Sequence, residues 1–471
     1  MSRMKRFLGL TFLMCLAAAG PAAAVDFGGS VYNETSLLKE GIDPLGVGQK
    51  NVVSVWFNTG THNPVTFHIG GYYTFLHNYR AEGMVAPPLS YPYLFNLYDF
   101  RLTGTFKRPD ESPSIFAFEF GRYSSSDFTG RMFEHTLDGL RFSFTYPFAK
   151  VRVETGFTGL HLKPSSSVFI SKLDYNDLRI DSVILGPKRI VGLAEAAFPA
   201  LFQRYTLSLA AMFQEDLRFL FQKADTPVDQ TILTEGTTTY TPARGGLVDT
   251  QYMMLGFSGP ILGGFFFDVY GTLNTGRTLS WVDSDNDDTS DVYQYKPVLG
   301  VLAGIDFKYY NENLLYSAAK LGFLFSSGDG DSTSYLEGNR AGLATTFIPV
   351  SVEPVGLVFT PQLGNLFYIS GSYSLKPLSF LEAEMGKRFQ TKLDLYMFFR
   401  SSDAPISEAG VDPAATALYL GTEADLTLNY RLFSDVAMSL AAGLFFPSST
   451  VFVPDRQGVW FTGTLTVTIN W

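Results

Sequence analysis

The feature that most constrains the fold is a strict two-residue alternation of apolar and polar side chains, repeated along most of the chain. In the segment 98–107 every even-numbered residue is apolar or Gly, and every odd-numbered residue is charged or Thr. Successive side chains of a β-strand point to opposite faces, so such a segment forms a strand with one apolar and one polar face. The segments 140–146, 151–158, 265–272 and 423–431 behave alike. The pattern predicts an all-β chain.

Alternation alone fits both a soluble β-sandwich and a membrane-spanning β-barrel, because strands of either have a single apolar face. Composition helps to separate them. Aromatic residues make up 15% of the chain and charged residues only 17%, whereas soluble domains usually carry about 25% charge. The mean hydropathy is only +0.09, and no run of 18 apolar residues follows residue 24, which excludes membrane-spanning helices. These values favour a membrane barrel.

The two ends of the chain support export and insertion into a membrane. Residues 1–24 combine a basic start, a short apolar stretch and small residues before position 25, as a cleaved signal peptide does. The only cysteine, Cys15, lies in this segment, so no disulfide is expected in the mature chain. The segment 461–471 alternates up to Trp471 and resembles the C-terminal strand of bacterial outer-membrane barrels, which the barrel-assembly machinery recognises.

The spacing of the strands predicts the barrel's size and orientation. Long and short connections alternate without a break, as in barrels with short periplasmic turns and longer outer loops. We count 18 strands, with 16 to 20 as the range, and read the segment 380–400 as one long strand. The connection near 326–364 is the longest and has an apolar second half. It either folds into the lumen or extends the next strand. Residues 25–471 are therefore expected to form one barrel domain.

The polar face of each strand should line the lumen. The basic candidates for pore lining or solute binding are Arg101, Lys107, Arg141, Arg152, Arg204, Lys308, Arg388, Lys392, Arg400 and Arg431. The acidic candidates are Glu119, Glu154, Asp268, Asp306, Glu384, Asp394, Glu423 and Asp425. The two signs nearly balance, so these residues form either a cross-strand lattice that solvates the wall or a ladder of arginines that guides an anionic or sugar solute.

Metal sites and catalytic groups have weaker signals. The acidic loop near 275–293 offers Asp283, Asp285 and Asp287 as weak calcium candidates, but the EF-hand pattern is not met. The five histidines, all within residues 62–161, form no recognisable acid, base or nucleophile grouping in the sequence. We expect no cofactor and no enzymatic activity.

Short motifs resemble the alginate-export family of outer-membrane porins. They are Leu420-Gly421-Thr422-Glu423-Ala424-Asp425-Leu426 continuing to Gly443-Leu444-Phe445-Phe446-Pro447, Ser326-Ser327-Gly328-Asp329 followed by Phe347 and Pro349, and Asp138-Gly139-Leu140-Arg141. The resemblance implies an 18-stranded monomeric barrel that passes an anionic polysaccharide or another hydrophilic solute. Alginate exporters, however, have a strongly arginine-rich lumen, whereas these charges nearly balance.

The sequence therefore predicts a porin or channel in the bacterial outer membrane for passive passage of saccharides, organic acids or anionic polysaccharide. Its partners would be outer-membrane lipid, the assembly machinery and the solute, while the net charge of −10 makes nucleic acid an unsuitable partner. Two alternatives stay open. One is a plugged barrel that acts as an adhesin or structural surface protein. The other is a hydrophobic-solute transporter of the fatty-acid type, which requires an N-terminal plug.

Overall fold

A computed structural model of the chain contains one closed antiparallel barrel of eighteen strands. The residues described are 25–59, 64–80, 92–107, 114–179, 183–202, 204–220, 233–235, 238–240, 248–283, 291–331, 342–351, 355–381, 384–408, 410–412 and 414–471. Each barrel strand pairs with the strands next to it along the chain, and the first strand closes the barrel by pairing with the last, with Val31 opposite Ile469. Closure pairs the strand edges, which a sheet in lipid requires.

The barrel strands are β1 (Val25–Lys39), β2 (Gly46–Thr59), β3 (Val65–Arg80), β4 (Tyr93–Lys107), β5 (Ile115–Ser126), β6 (Glu134–Thr145), β7 (Lys150–Phe157), β8 (Arg189–Leu201), β9 (Tyr205–Asp216), β12 (Val248–Leu262), β13 (Phe265–Asp283), β14 (Asp291–Asn311), β15 (Ser317–Ser326), β16 (Phe367–Leu375), β17 (Phe389–Phe399), β18 (Tyr419–Arg431), β19 (Val436–Pro447) and β20 (Trp460–Asn470). A separate small hairpin consists of β10 (Leu233–Glu235) and β11 (Thr238–Tyr240). Helices are few: α-helical Lys172–Arg179 and Glu384–Lys387, and 3-10 turns Lys163–Ser165, Leu217–Leu220 and Pro454–Arg456. No helix in the described ranges is long and apolar enough to cross a membrane.

The two faces of the wall follow the sequence alternation. Phe100 and Leu102 on β4 are exposed on the outside of the barrel, while Arg101 between them faces the lumen and contacts other charged residues there. Outward-facing rings of Phe106, Phe116 and Phe144 contact one another along β4, β5 and β6, with centroids 5.1–6.3 Å apart. Such rings near a strand end are typical of the aromatic belt at a membrane interface.

The connections differ in length at the two ends of the barrel. Short turns, such as 263–264 and 432–435, lie at the end that holds both termini, which we call the turn end. The longer connections 158–188, 217–247 and 327–366 lie at the opposite end, which we call the loop end. The predicted count of eighteen strands and the alternation of long and short connections are confirmed.

Two predicted boundaries are wrong. The segment 380–400 is not one strand: β17 begins at Phe389, and a turn with the short helix Glu384–Lys387 precedes it. The apolar residues before and after Gln390 alternate in the same phase, but this agreement does not reflect a continuous strand. The acidic loop is also shorter than expected, because β13 reaches Asp283 and β14 starts at Asp291. Long strands here extend the wall at the loop end.

Candidate functional site

The lumen is narrowed by connections that fold back into it, and the longest, 327–366, crosses the inside of the wall. Near its middle, the backbone N–H of Ile348 donates to Asn274 Oδ1 on β13 (3.3 Å), and the carbonyl of Ile348 accepts from the Tyr252 hydroxyl on β12 (2.7 Å). Gly300 on β14 permits this approach, since an added Cβ would lie 2.7 Å from the Phe347 Cα. Of the two alternatives left open by the sequence, the loop therefore folds into the lumen.

The second half of the same loop is held by one buried carboxylate on β18. Both oxygens of Glu423 accept backbone hydrogen bonds, from the N–H groups of Val358 and Phe359, each at 2.8 Å. Asp425, the next residue on the same face, accepts from the N–H of Leu357 at 3.2 Å. Each of these bonds satisfies a backbone N–H group of the loop that would otherwise be buried without a partner. These acids, predicted to line the pore, instead fasten the loop to the wall.

Aromatic packing completes this anchor. The ring of Phe359 is fully buried and stacks on Phe445, with centroids 4.4 Å apart and planes at 3°. It also meets Phe398 on β17 at 5.0 Å and Trp460 on β20 at 6.1 Å. Burying a large ring in such a cluster stabilises the docked loop by several kcal/mol, roughly 3–5 kcal/mol by the cost of Phe-to-Ala truncations. The loop-end half of the lumen thus contains an apolar cluster around Phe359.

A second connection, 127–133, reaches the 327–366 loop from the other side. The carbonyl of Met132 accepts from the N–H groups of Val350 (3.0 Å) and Ser351 (3.1 Å). Arg131 extends further, to the Tyr368 hydroxyl on β16 (2.6 Å) and Asp306 on β14 (3.4 Å). Five strands separate β6 from β14 along the shorter path around the barrel, so these contacts span the lumen.

The third inward connection, 158–188, carries the helix Lys172–Arg179 and is held by a buried ionic network. Asp174 accepts from Arg189 (2.8 Å) and Arg218 (2.6 Å), and Asp216 lies 2.6 Å from Arg218. Although burial opposes its ionisation, the two guanidinium groups hold the pKa of Asp174 well below its usual range. Tyr175 of the same helix accepts a hydrogen bond from Gln362 of the 327–366 loop. The three loops therefore meet one another.

The predicted cross-strand lattice is present on β4 to β8. Arg141 stands directly opposite Glu119 and Glu154 in the register and pairs with both, at 2.8 Å to Glu119. Arg152 pairs with Glu195 opposite it at 2.9 Å. Arg101 lies 3.7 Å from Glu119. Because each cation faces a carboxylate, this part of the wall carries little net charge.

A similar set of ion pairs lies on β13, β14, β15 and β17. Lys308 pairs with Asp268, and Lys392 pairs with Asp394 at 2.9 Å. Asp306 accepts from Lys320 at 3.1 Å as well as from Arg131. Lys320, Arg131 and Glu195 were missed in the sequence. The first two were hidden by an uncertain register and an inward loop, whereas Glu195 is the only charged residue of β8 after Arg189.

Two arginines without a carboxylate partner among the described residues, Arg388 and Arg431, lie at the turn end. A cleft of about 450 Å³ opens between β17 and β20. It is lined by the basic residues Lys376, Lys387, Arg388 and Arg431, together with the amide and hydroxyl side chains of Gln390, Asn429, Ser439, Thr466 and Thr468. No carboxylate is among its described lining residues. The Arg431 guanidinium donates to the Ser434 carbonyl at 2.6 Å, which fixes its position without neutralising its charge.

The remaining predicted residues lie elsewhere. Arg400 is buried just beyond β17 and donates to four backbone carbonyls, so it holds the 400–418 loop in place. Lys107 ends β4 and Arg204 lies in a turn, and both are exposed. Glu384 lies in the short helix before β17, outside the wall. Among the calcium candidates, Asp283 ends β13, while residues 285 and 287 lie outside the described residues. The described part contains no group of three metal-ligating residues.

The fold is similar to that of solved outer-membrane channels. OccAB1 of Acinetobacter baumannii shares 10% identity with a TM-score of 0.55, covering 95% of this chain and 96% of that one. OccK8 (OprE) of Pseudomonas aeruginosa shares 11% with a TM-score of 0.55 over 95% and 98% of the two chains. OpdK of Pseudomonas aeruginosa, crystallised with vanillate, shares 12% with a TM-score of 0.51 over 95% and 98%. No protein-family model and no curated protein matches the chain.

At these identities the likeness establishes the fold alone, a closed 18-stranded antiparallel β-barrel like that of these outer-membrane proteins. The outer-membrane location predicted from the sequence agrees with it. The similar structures are Occ and Opd channels, so the predicted porin fold is confirmed without the narrower assignment to the alginate-export family.

Proposed function

We propose that this protein is a passive outer-membrane channel for hydrophilic solutes that prefers anions, and that it acts as a monomer without enzymatic activity. Residues 1–24 would be removed on export, and the C-terminal strand would direct insertion by the assembly machinery. The porin fold and the polar lumen support the channel. The position of its uncompensated charge supports the preference for anions.

The observation that carries the proposal is the cationic cleft at the turn end. Arg388 and Arg431 have no carboxylate partner within the described residues, whereas Arg101, Arg141 and Arg152 are paired. A solute that leaves the constriction towards the turn end therefore meets net positive charge. Amide and hydroxyl groups beside the cations would bind the hydroxyl groups of a sugar acid or an aromatic acid.

The test is ion selectivity of the purified protein in planar bilayers. Under a KCl gradient at low ionic strength, the reversal potential should indicate anion preference, and R388Q/R431Q should shift it towards cations. A unit charge at 4 Å in water contributes about 1 kcal/mol, so each substitution should change the permeability ratio by up to about fivefold. R204Q, which alters an exposed arginine outside the cleft, is the matched control. An unchanged potential in the double variant would contradict the preference for anions.

The same assay addresses the solute class. The balanced lattice on β4 to β8 offers no continuous row of free arginines, so we favour small carboxylates over an alginate-like polyanion, which would need such a row. Vanillate, glucuronate and an alginate oligomer are suitable probes of channel block. Block by the monomeric acids and not by the oligomer is expected. The reverse order would favour the polysaccharide exporter suggested by the sequence motifs.

A second candidate, the plugged surface barrel, is favoured by the three inward loops and their apolar core. Correctly folded protein that shows no conductance would support the plugged surface barrel. The fatty-acid type of transporter receives no such support, because the N-terminal residues expected to form its plug belong to β1 and β2.

A further inference from the structure

Two histidines distant from the cationic cleft meet inside the barrel at the loop end. His135 is the second residue of β6, and His161 follows β7 at the start of the inward connection 158–188. Their rings lie 5.1 Å apart, centroid to centroid, with planes at 61°. Both are more than nine-tenths buried, with 5% and 3% of their surface exposed.

The Nε2 atoms of both rings are buried and have no hydrogen-bond partner among the described residues. A buried polar atom left unpaired costs roughly 1–3 kcal/mol, so two such atoms on adjacent rings call for a species that both can bind.

The protonation of His135 is set by its other nitrogen. Its Nδ1 lies 3.0 Å from the Ser167 hydroxyl, which uses its only hydrogen to donate to the Glu134 carbonyl at 2.9 Å. Ser167 can therefore only accept from His135, so Nδ1 carries the hydrogen and Nε2 presents a lone pair. A ring whose other N–H is bound by the protein is the usual state of a metal-ligating histidine.

The backbone around His161 is also fixed. Its carbonyl accepts from the Gly186 N–H at 2.8 Å, and the next residue, Leu162, forms a β-bridge with Leu185. Arg122 binds the Leu160 carbonyl at 3.2 Å and pairs through two bonds with Asp138. This pairing neutralises the nearest cation.

We propose that His135 and His161 bind a borderline divalent metal ion such as Zn²⁺ through their Nε2 atoms, with water completing the coordination. Two imidazole nitrogens at about 2.0–2.1 Å from a tetrahedral ion place the ring centres roughly 5 Å apart, as found here. Imidazole ligands select ions of the zinc, nickel and copper group over calcium or magnesium. The ion would clip the inward connection 158–188 to the wall at β6.

The site is tested by metal content. The full chain is refolded in detergent with ZnCl₂, passed into metal-free buffer and analysed by mass spectrometry for zinc, because a buried ion that enters during folding should be retained. The wild type is expected to keep about one equivalent, and H135Q and H161Q at least about tenfold less. H68Q is the control, since both His68 nitrogens already have partners in Asn58 and Thr66. It should keep the ion.

Two further measurements do not depend on losing a histidine. Co²⁺ added during refolding of the wild type should give the visible absorption of a tetrahedral ion with nitrogen ligands. S167A, which keeps both histidines and removes only the Nδ1 partner, should weaken zinc binding by about 10- to 100-fold. Heat-modifiable migration in gels verifies that each barrel is folded. A wild type without retained zinc, or folded H135Q and H161Q that keep it fully, would overturn the proposal.

Discussion

The most informative single change in the constriction is Phe359→Ala. The ring is fully buried between Phe398, Phe445 and Trp460, which belong to three different strands. Those strands are fixed by their ladder hydrogen bonds, so the wall cannot collapse into the cavity that the substitution leaves. The penalty should therefore lie in the upper part of the range for Phe-to-Ala changes, about 3–5 kcal/mol.

The lost free energy weakens the docking of the 327–366 loop and not the barrel itself, because the hydrogen bonds of the eighteen-stranded wall do not depend on Phe359. At about 1.4 kcal/mol per factor of ten, the docked-to-undocked ratio should fall by roughly two to more than three orders of magnitude. The Glu423 bonds to Val358 and Phe359 remain, so we expect frequent transient release instead of permanent loss. In planar bilayers the variant should show larger or flickering conductance steps. Limited proteolysis should cut within 342–366 faster in proportion to the undocked population.

The matched control is Phe446→Ala. Phe446 follows Phe445 on β19, and its side chain is exposed on the outside of the barrel. The substitution Phe446→Ala also deletes a phenyl ring, but from the outer face of the barrel, so conductance and loop cleavage should stay at wild-type values. If Phe359→Ala itself shows wild-type conductance and cleavage while its barrel is folded, aromatic packing does not hold the constriction closed.

Two further predictions concern the loop end and the terminus. Burial, reinforced by the negative charge of Glu40, raises the pKa of Glu408 to about 7; the folded protein therefore holds this proton more tightly, and docking of the 400–418 loop should weaken as the pH rises from about 4 to about 7. Hydrogen exchange of that loop measures the effect, and E408Q should remove the pH dependence. Trp471→Ala should reduce the amount of heat-modifiable barrel in outer membranes, whereas Trp471→Phe, which keeps an aromatic end, should assemble normally. If both variants assemble equally well, the terminal aromatic ring is not required for insertion of the barrel.

The wall could be predicted from the sequence because its cause is local. Alternation places Arg101 inward and Phe100 outward whatever the loops do, and the register then brings Arg141 opposite Glu119 and Glu154. Near the loop end, the alternation of apolar and polar residues no longer separates the inner face of a strand from its outer face. Phe398 faces inward and Phe399 outward, yet both are apolar, since one packs against a loop and the other against lipid. Strands that are apolar on both faces there mark where loops enter the lumen.

The candidate sites depended on contacts that no local pattern reports. Arg388 and Arg431 were predicted to line the pore, but their lack of carboxylate partners is visible only when the neighbouring strands are placed. His135 and His161 are brought together by the return of the 158–188 connection to β6. Pairing between distant residues decides whether a charge is compensated, and that is a property of the barrel as a whole.

The three inward loops are fastened to the wall by different chemistry, which bears on how the channel opens. Ionic bonds of Asp174 hold one loop, burial of Phe359 holds another, and Arg131 extends from the third to the opposite wall. The loops also contact one another, as Met132 does with Val350 and Tyr175 with Gln362, and all three contribute buried residues to one apolar cluster. Residues that share such a cluster couple by about 0.5–3 kcal/mol instead of acting additively. Release of one loop should therefore weaken the docking of the others, so the channel should open mainly in one large conductance step with few sublevels.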